Sequence, residues 1–103
     1  MLTSKQRAFL RAMANPIDTI VIVGKDGITD NVAVQVSDAL TARELIKGKV
    51  LESALLTARE VSDELCERCG CEGVQCVGSK FVLYRRNEKK PVIELPSEKK
   101  KTK

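Results

Sequence analysis

The chain has 103 residues, 18 of them basic and 14 acidic, with no histidine and no tryptophan. That length is one ordinary domain, and a 43% hydrophobic content can build a core, which a disordered chain lacks. No apolar run approaches the roughly 20 residues of a membrane span, the first eleven residues lack the apolar block of a signal peptide, and without histidine there is no Ser-His-Asp triad, Cys-His pair or His-ligated metal.

The net charge of +4 is unevenly spread. Residues 51–79 hold two bases against six acids, whereas residues 80–103 hold nine bases against three acids. Residues 1–85 carry eleven of each sign, so the excess lies in the C-terminal stretch. A neutral body with segregated signs can still present a positive face to a polyanion.

In chain order, residues 3–14 predict a helix capped by Thr3 or Ser4, with Phe9, Leu10 and Met13 on one core-facing arc and Arg7 and Arg11 on another. Asn15-Pro16 ends it. Residues 19–23, TIVIV, form a β-branched apolar run that suits a strand covered on both faces. Gly24-Lys25-Asp26-Gly27 is a turn. Residues 29–42 fit two patterns. Val32, Val34 and Val36 alternate as in a strand, while Val32, Val36, Ala39 and Leu40 share a helical arc behind Thr29 or Asp30. Helix is preferred for its length and the lack of a breaker, and it leaves Val34 on the polar side.

Residues 44–51, ELIKGKVL, predict a second strand in which Lys47 and Lys49 share a face and Gly48 marks a bulge or a close approach. Thr57-Ala58-Arg59-Glu60 is a capping box. The helix behind it places Ala58, Val61, Leu65 and Cys69 on one stripe and stops at Gly70. Residues 73–78 and 80–85 predict a hairpin turning at Gly78-Ser79. Pro91–Pro96 is an apolar patch able to dock on the body, and residues 97–103 are expected to be a disordered Lys-rich tail. The expectation is therefore an α/β fold: one compact domain over residues 1–96, in αβαβαββ order, with three helices and a four-stranded mixed, mostly parallel sheet.

The glycine turn lies between a buried strand and a helix start, where free N–H groups favour an anion and Lys25 adds positive charge. The pattern is a plausible phosphate cradle, though two glycines in a strand-to-helix turn are common. A dinucleotide fingerprint and a Walker ending are both absent, which disfavours a nucleotide-using enzyme. Phe9, Phe81 and Tyr84 are the only aromatic residues. They leave little for stacking splayed bases, so nucleic-acid binding would work through backbone and shape, as loops of the G-x-x-G type do.

Cys66, Cys69, Cys71 and Cys76 fall within eleven residues. Four thiolates can close a zinc site, but two C-x2-C knuckles are not present. Packing as small hydrophobes in a reducing cytoplasm is preferred over metal binding or a disulfide.

Four segments in order resemble the CRM-domain family, its YhbY-like members in particular. They are Leu2-Thr3-Ser4-Lys5-Gln6-Arg7-Ala8-Phe9-Leu10-Arg11, then Ile22-Val23-Gly24-Lys25-Asp26-Gly27-Ile28-Thr29-Asp30-Asn31-Val32, then Glu44–Leu51 and Val74–Arg85. The resemblance implies a fold similar to the C-terminal domain of translation initiation factor three, and RNA binding without catalysis. Bacterial members are linked to precursors of the large ribosomal subunit, and plant-organelle relatives to group II intron splicing. It also implies an RNA contact at Gly24, Lys25, Asp26 and Gly27, and maps the basic residues of the family's first helix to Lys5, Arg7 and Arg11. Asp26 stands where the family often has glycine, and the cysteines stand at mostly small or apolar family positions.

The expected function is thus a monomeric, cytoplasmic RNA-binding protein that assists large-subunit assembly, with no catalytic residue, metal or cofactor. Thr29, Asn31, Lys47, Lys49, Lys80 and Arg85 complete the expected contact set. The rival is a protein adaptor docking through Glu60, Asp63, Glu64 and Glu67 on the third helix.

Overall fold

Helix α1, Ser4–Ala14, begins at a capping box in which the Thr3 hydroxyl accepts the Gln6 amide and the Gln6 side chain accepts the Thr3 amide. The computed structural model describes residues 2–93 and 95. The chain continues through β1 (Thr19–Val23), α2 (Asp30–Arg43), β2 (Leu45–Val50), a 3-10 turn at Glu52–Ala54, α3 (Ala58–Cys69), β3 (Glu72–Val77) and β4 (Lys80–Tyr84). Thr29 caps α2 and Thr57 caps α3, each through its hydroxyl, and Gly70 ends α3 with a left-handed backbone.

The sheet order is β1-β2-β4-β3. β1 and β2 pair in parallel, and β4 pairs antiparallel with both β2 and β3. Three strands therefore run one way, but β4 inserts between β2 and β3, so only one neighbouring pair is parallel. The expected order, helix count and mixed sheet hold. The expectation of mostly parallel pairing does not, because the closing strand of the hairpin takes the central place.

Strand alternation divides the molecule into layers. Val21, Val23, Ile46, Val50, Phe81 and Leu83 face α2 and α3, where they pack with Val36, Leu40, Val61 and Leu65. Leu45, Val82 and Tyr84 point to the opposite face, where they meet Leu10 and Ala14 of α1 together with Leu2, Val74 and Ile93. The buried residues of helix α1 are Leu10 and Ala14. Phe9 and Met13, expected in the core, are each 38% exposed on its flank. Val34 is exposed, as its place on the polar side of α2 requires.

Gly48 is a close approach. A Cβ there would lie 2.6 and 2.8 Å from the two Cε atoms of its cross-strand partner Phe81. The ring fills the space that a side chain would occupy. The apolar patch near the C-terminus docks through Ile93, which is buried with Leu95 packed beside it. The expected tail, residues 97–103, lies outside the described residues.

Candidate nucleic-acid interface

Three loops meet where β1 and β2 end. The glycine turn follows β1, with the Gly27 amide donating to the Gly24 carbonyl at 2.8 Å and Gly27 at φ +70°. Leu51, just past β2, donates its amide to the Val23 carbonyl at 2.9 Å. Val50 donates to the Ser79 carbonyl at 2.7 Å, drawing in the β3–β4 turn. The C-terminal ends of strands in open α/β sheets are the usual place for ligands. Among the described residues, no hydrogen bond occupies the amides of Lys25 and Asp26. Both side chains are exposed.

The lysines stand beside this end of the sheet. Lys49 pairs with Ile22 on one side and with Lys80 on the other, and Lys80 pairs with Val77. Cross-strand partners share a face, and here it is the α1 face, since Lys47 and Lys49 alternate with buried Ile46 and Val50. Helix α1 leaves this part of the sheet uncovered: Ile22 is 56% and Val77 61% exposed. Lys47 reaches back to the Asn15 carbonyl at 3.4 Å, and Arg7 reaches the Gly73 carbonyl at 3.4 Å. The second contact holds Arg7 at the β3 edge. Four strands at about 4.8 Å spacing make the sheet roughly 14 Å wide, with the glycine turn after edge strand β1 and Arg7 against edge strand β3, toward the opposite end of the strands.

Not every expected residue joins the surface. Lys5 lies about 200° round the helix from Arg7 and points elsewhere. The Thr29 hydroxyl is taken up by the Val32 amide at 3.2 Å, while Asn31 stands exposed in the first turn of α2. Arg85 is engaged within the fold. Its guanidinium donates to the Ser37 carbonyl at 2.7 Å, the Thr41 hydroxyl at 2.8 Å, the Cys69 carbonyl at 2.8 Å and the Ser37 hydroxyl at 3.2 Å. It clamps α2 to the end of α3 through both terminal nitrogens.

The acidic face lies on α3, across the sheet from the lysines. Two of its members have local work. Glu60 closes the α3 capping box, accepting the Thr57 amide at 2.9 Å, and Glu64 pairs with Arg68 at 3.8 Å. Arg68 also reaches Asp30 at 3.5 Å. Cys66, Cys69 and Cys71 are half-buried against the core, whereas Cys76, expected to pack inside, is exposed on edge strand β3. Cys66 and Cys71 lie together past the Gly70 stop, and their side-chain interaction holds Cys66 below the ordinary thiol range and pushes Cys71 above it. The Cys71 thiol donates to the Leu65 carbonyl at 3.6 Å. Among the described residues, no three His, Cys, Asp or Glu side chains group to hold a metal ion, and no helix is long and apolar enough to cross a membrane.

The profile of the CRS1 / YhbY (CRM) domain matches residues 2–85. The chain belongs to the CRM domain family. It is 41% identical over 96 residues to the Bacillus subtilis protein named "Probable RNA-binding protein YqeI", covering 93% of this chain and 100% of that one. A Haemophilus influenzae protein named "RNA-binding protein" is 33% identical, covering 92% and 95%. The solution structure of SAV1595 from Staphylococcus aureus superposes with a TM-score of 0.75 at 40% identity, covering 93% of this chain and all of that one. In this CRM domain, sequence reasoning passed over Arg59, which lines a cleft of about 410 Å³ with Arg7, Gly73 and Gln75 at the β3 edge. Only the topology that sets α3 beside β3 brings it there. It also passed over Leu51, Leu55 and Leu56 beside the glycine turn, because an apolar tripod in a short loop carries no periodic signal.

Proposed function

We propose that this CRM domain binds RNA without catalysis, gripping the phosphate backbone on the open half of its sheet, and that it serves large-subunit ribosomal RNA maturation as a cytoplasmic monomer. The observation that carries the reading is the Lys49–Lys80 pair, set on the uncovered face beside a glycine turn whose Lys25 and Asp26 amides are unoccupied. The names of the relatives point the same way.

In this mechanism the free amides and the start of α2 hold one phosphate. Lys25, Lys47, Lys49, Lys80, Arg7 and Arg11 supply attraction along the strand. Arg85 and Lys5 are left out of the grip. If all six cations meet phosphates of a single strand, log K falls with log salt at a slope of about −4.

The test is a salt titration of RNA affinity for the wild type, Lys25→Glu, and the Lys49→Glu/Lys80→Glu double variant. The expected result is a slope near −4, shallower by about 1 for Lys25→Glu and by about 2 for the double variant. Affinity indifferent to salt, or unchanged in both variants, overturns the grip. Crosslinking in cells followed by sequencing of the attached RNA tests the target: precursors of large-subunit RNA are expected, and enrichment of introns or messenger RNA instead refutes the ribosomal role.

A further inference from the structure

Leu51, Leu55 and Leu56 surround the glycine turn. A Leu51 Cδ1 lies 3.5 Å from where a Gly24 Cβ would be, and a Leu56 Cδ1 lies 3.9 Å from the corresponding point on Gly27. Leu55, between them in sequence, is 90% exposed. Its backbone is left-handed, φ 57° and ψ 30°, and is held by its amide on the Glu52 carbonyl at 3.1 Å. L side chains other than Asn and Asp rarely adopt that conformation. Two unfavourable features thus coincide: a strained backbone, and a large aliphatic side chain held in water. Buried Ala54 anchors the same turn to the core, so the display is fixed in place. Strain and apolar exposure gathered at one spot mark a contact surface.

What covers the leucines is constrained by their neighbours. They adjoin the unoccupied amides of the glycine turn and Lys25, and the Leu51 amide is tied to β1 at the residue after Ile22, the cross-strand partner of Lys49. An apolar ledge abutting anion-binding groups complements a nucleotide, which carries a flat apolar base on an anionic backbone. A purely apolar protein patch would be left facing ammonium groups. We propose that Leu51, Leu55 and Leu56 form a shelf that receives an unstacked base of single-stranded RNA while its phosphate rests on the Gly24–Gly27 turn. This deepens the RNA reading above and rests on it. In a duplex the bases are stacked on one another and their faces are covered, so the shelf selects unpaired segments. The contact is aliphatic: Phe81 and Tyr84 are buried, and Phe9 lies on α1.

The experiment uses unstructured eight-nucleotide RNAs carrying 2-aminopurine at one position each, alone or annealed to a complement. They are titrated with the wild type, Leu55→Asn and Lys25→Glu at one salt concentration. Asparagine tolerates the left-handed backbone, so Leu55→Asn keeps the turn while removing the apolar surface. The wild type is expected to bind the single strand at least about tenfold more tightly than the duplex, with a fluorescence change confined to one or two positions. Leu55→Asn is expected to lose about five- to tenfold on the single strand and nothing on the duplex, with an unchanged salt slope. Lys25→Glu weakens both RNAs. Wild-type affinity of Leu55→Asn for the single strand, or equal affinity of the wild type for both forms, refutes the shelf. If Lys25→Glu still weakens binding in that case, the phosphate grip survives the loss of the shelf. If the wild type binds neither RNA, both readings fall together. Retention of RNA binding by Leu55→Asn with loss of a captured protein overturns the shelf in favour of a protein contact.

Discussion

The Glu44 carboxylate accepts the backbone amide of Ile93 at 2.6 Å, across 49 residues of sequence. It also accepts the amides of Val92 at 2.8 Å and Asn87 at 2.6 Å, and it is fully buried. This one side chain, at the junction of α2 and β2, fastens the segment after β4 to the body. Burial on its own raises the pKa of Glu44. The three amides, with Arg86 nearby, outweigh burial and hold it below the ordinary 4.5. A depressed folded value means that the stabilisation is complete above the unfolded value and is lost as pH falls through the folded one. Glu44→Gln keeps one acceptor oxygen and turns a donor toward the amides. It is expected to cost about 2–3 kcal/mol at neutral pH. Urea melts should show the gap between wild type and variant narrowing between about pH 5 and pH 3, with faster amide exchange at Val92 and Ile93. A gap that widens on acidification would contradict the assignment.

The Gly48–Phe81 contact makes a second prediction. Even a methyl group at position 48 must displace a ring that is fully buried between the helices and the sheet. Gly48→Ala is expected to destabilise by about 1–3 kcal/mol through overpacking. Adding Phe81→Leu should recover part of that loss, so a double-mutant cycle by chemical denaturation reads the coupling directly. Additive effects would mean that the ring does not fill the glycine notch.

Arg85 separates stability from binding. Its donors go to Ser37, Thr41 and the Cys69 carbonyl. Arg85→Met should lower stability by about 2–4 kcal/mol, because the Ser37 carbonyl in the middle of α2 and the Cys69 carbonyl at the end of α3 lose a charged partner. At temperatures where the variant is folded, its RNA salt slope should equal that of the wild type. A slope shallower by about 1 would return Arg85 to the phosphate grip.

Asp26 places a carboxylate at the tip of the glycine turn, where a phosphate is proposed to sit. One unit charge about 4 Å from another is worth about 1 kcal/mol in water. Asp26→Asn is therefore expected to tighten RNA binding about threefold to fivefold at low salt, with the advantage fading as salt rises. Filter binding at two salt concentrations checks it. Weaker binding would mean that the carboxylate holds the loop or meets the RNA through a donor.

Much of the framework was legible because local physics writes it into short windows. Thr57 through Glu60 announces α3, Gly70 ends it, and the alternation of Lys47 and Lys49 with Ile46 and Val50 states which way the lysines point. The hairpin at Gly78-Ser79 is equally local. What stayed hidden depends on distant partners. Nothing near Glu44 says that residues 87–93 will come to its carboxylate. Nothing near Arg85 separates a free guanidinium from one held between the side of α2 and the end of α3. A hairpin signal shows that β3 and β4 pair, but not that β4 will be the one to join β2. Phe9 and Met13 were misplaced because helical periodicity describes an arc, and the width of that arc which is covered depends on how α1 lies on the sheet.

In β2, ammonium-bearing residues occupy alternate positions with the deepest core residues, on a strand paired along both edges. Sliding it by one position against its neighbours would drive Lys47 and Lys49 into the oily layer beneath α2 and α3 and turn Ile46 and Val50 out to water. Gly48 would also leave its place opposite the Phe81 ring. The cations proposed to meet a polyanion thus act during folding as proofreaders of strand alignment, so charge-removing variants at these two sites should be screened for misaligned sheets before any loss of affinity is ascribed to the interface.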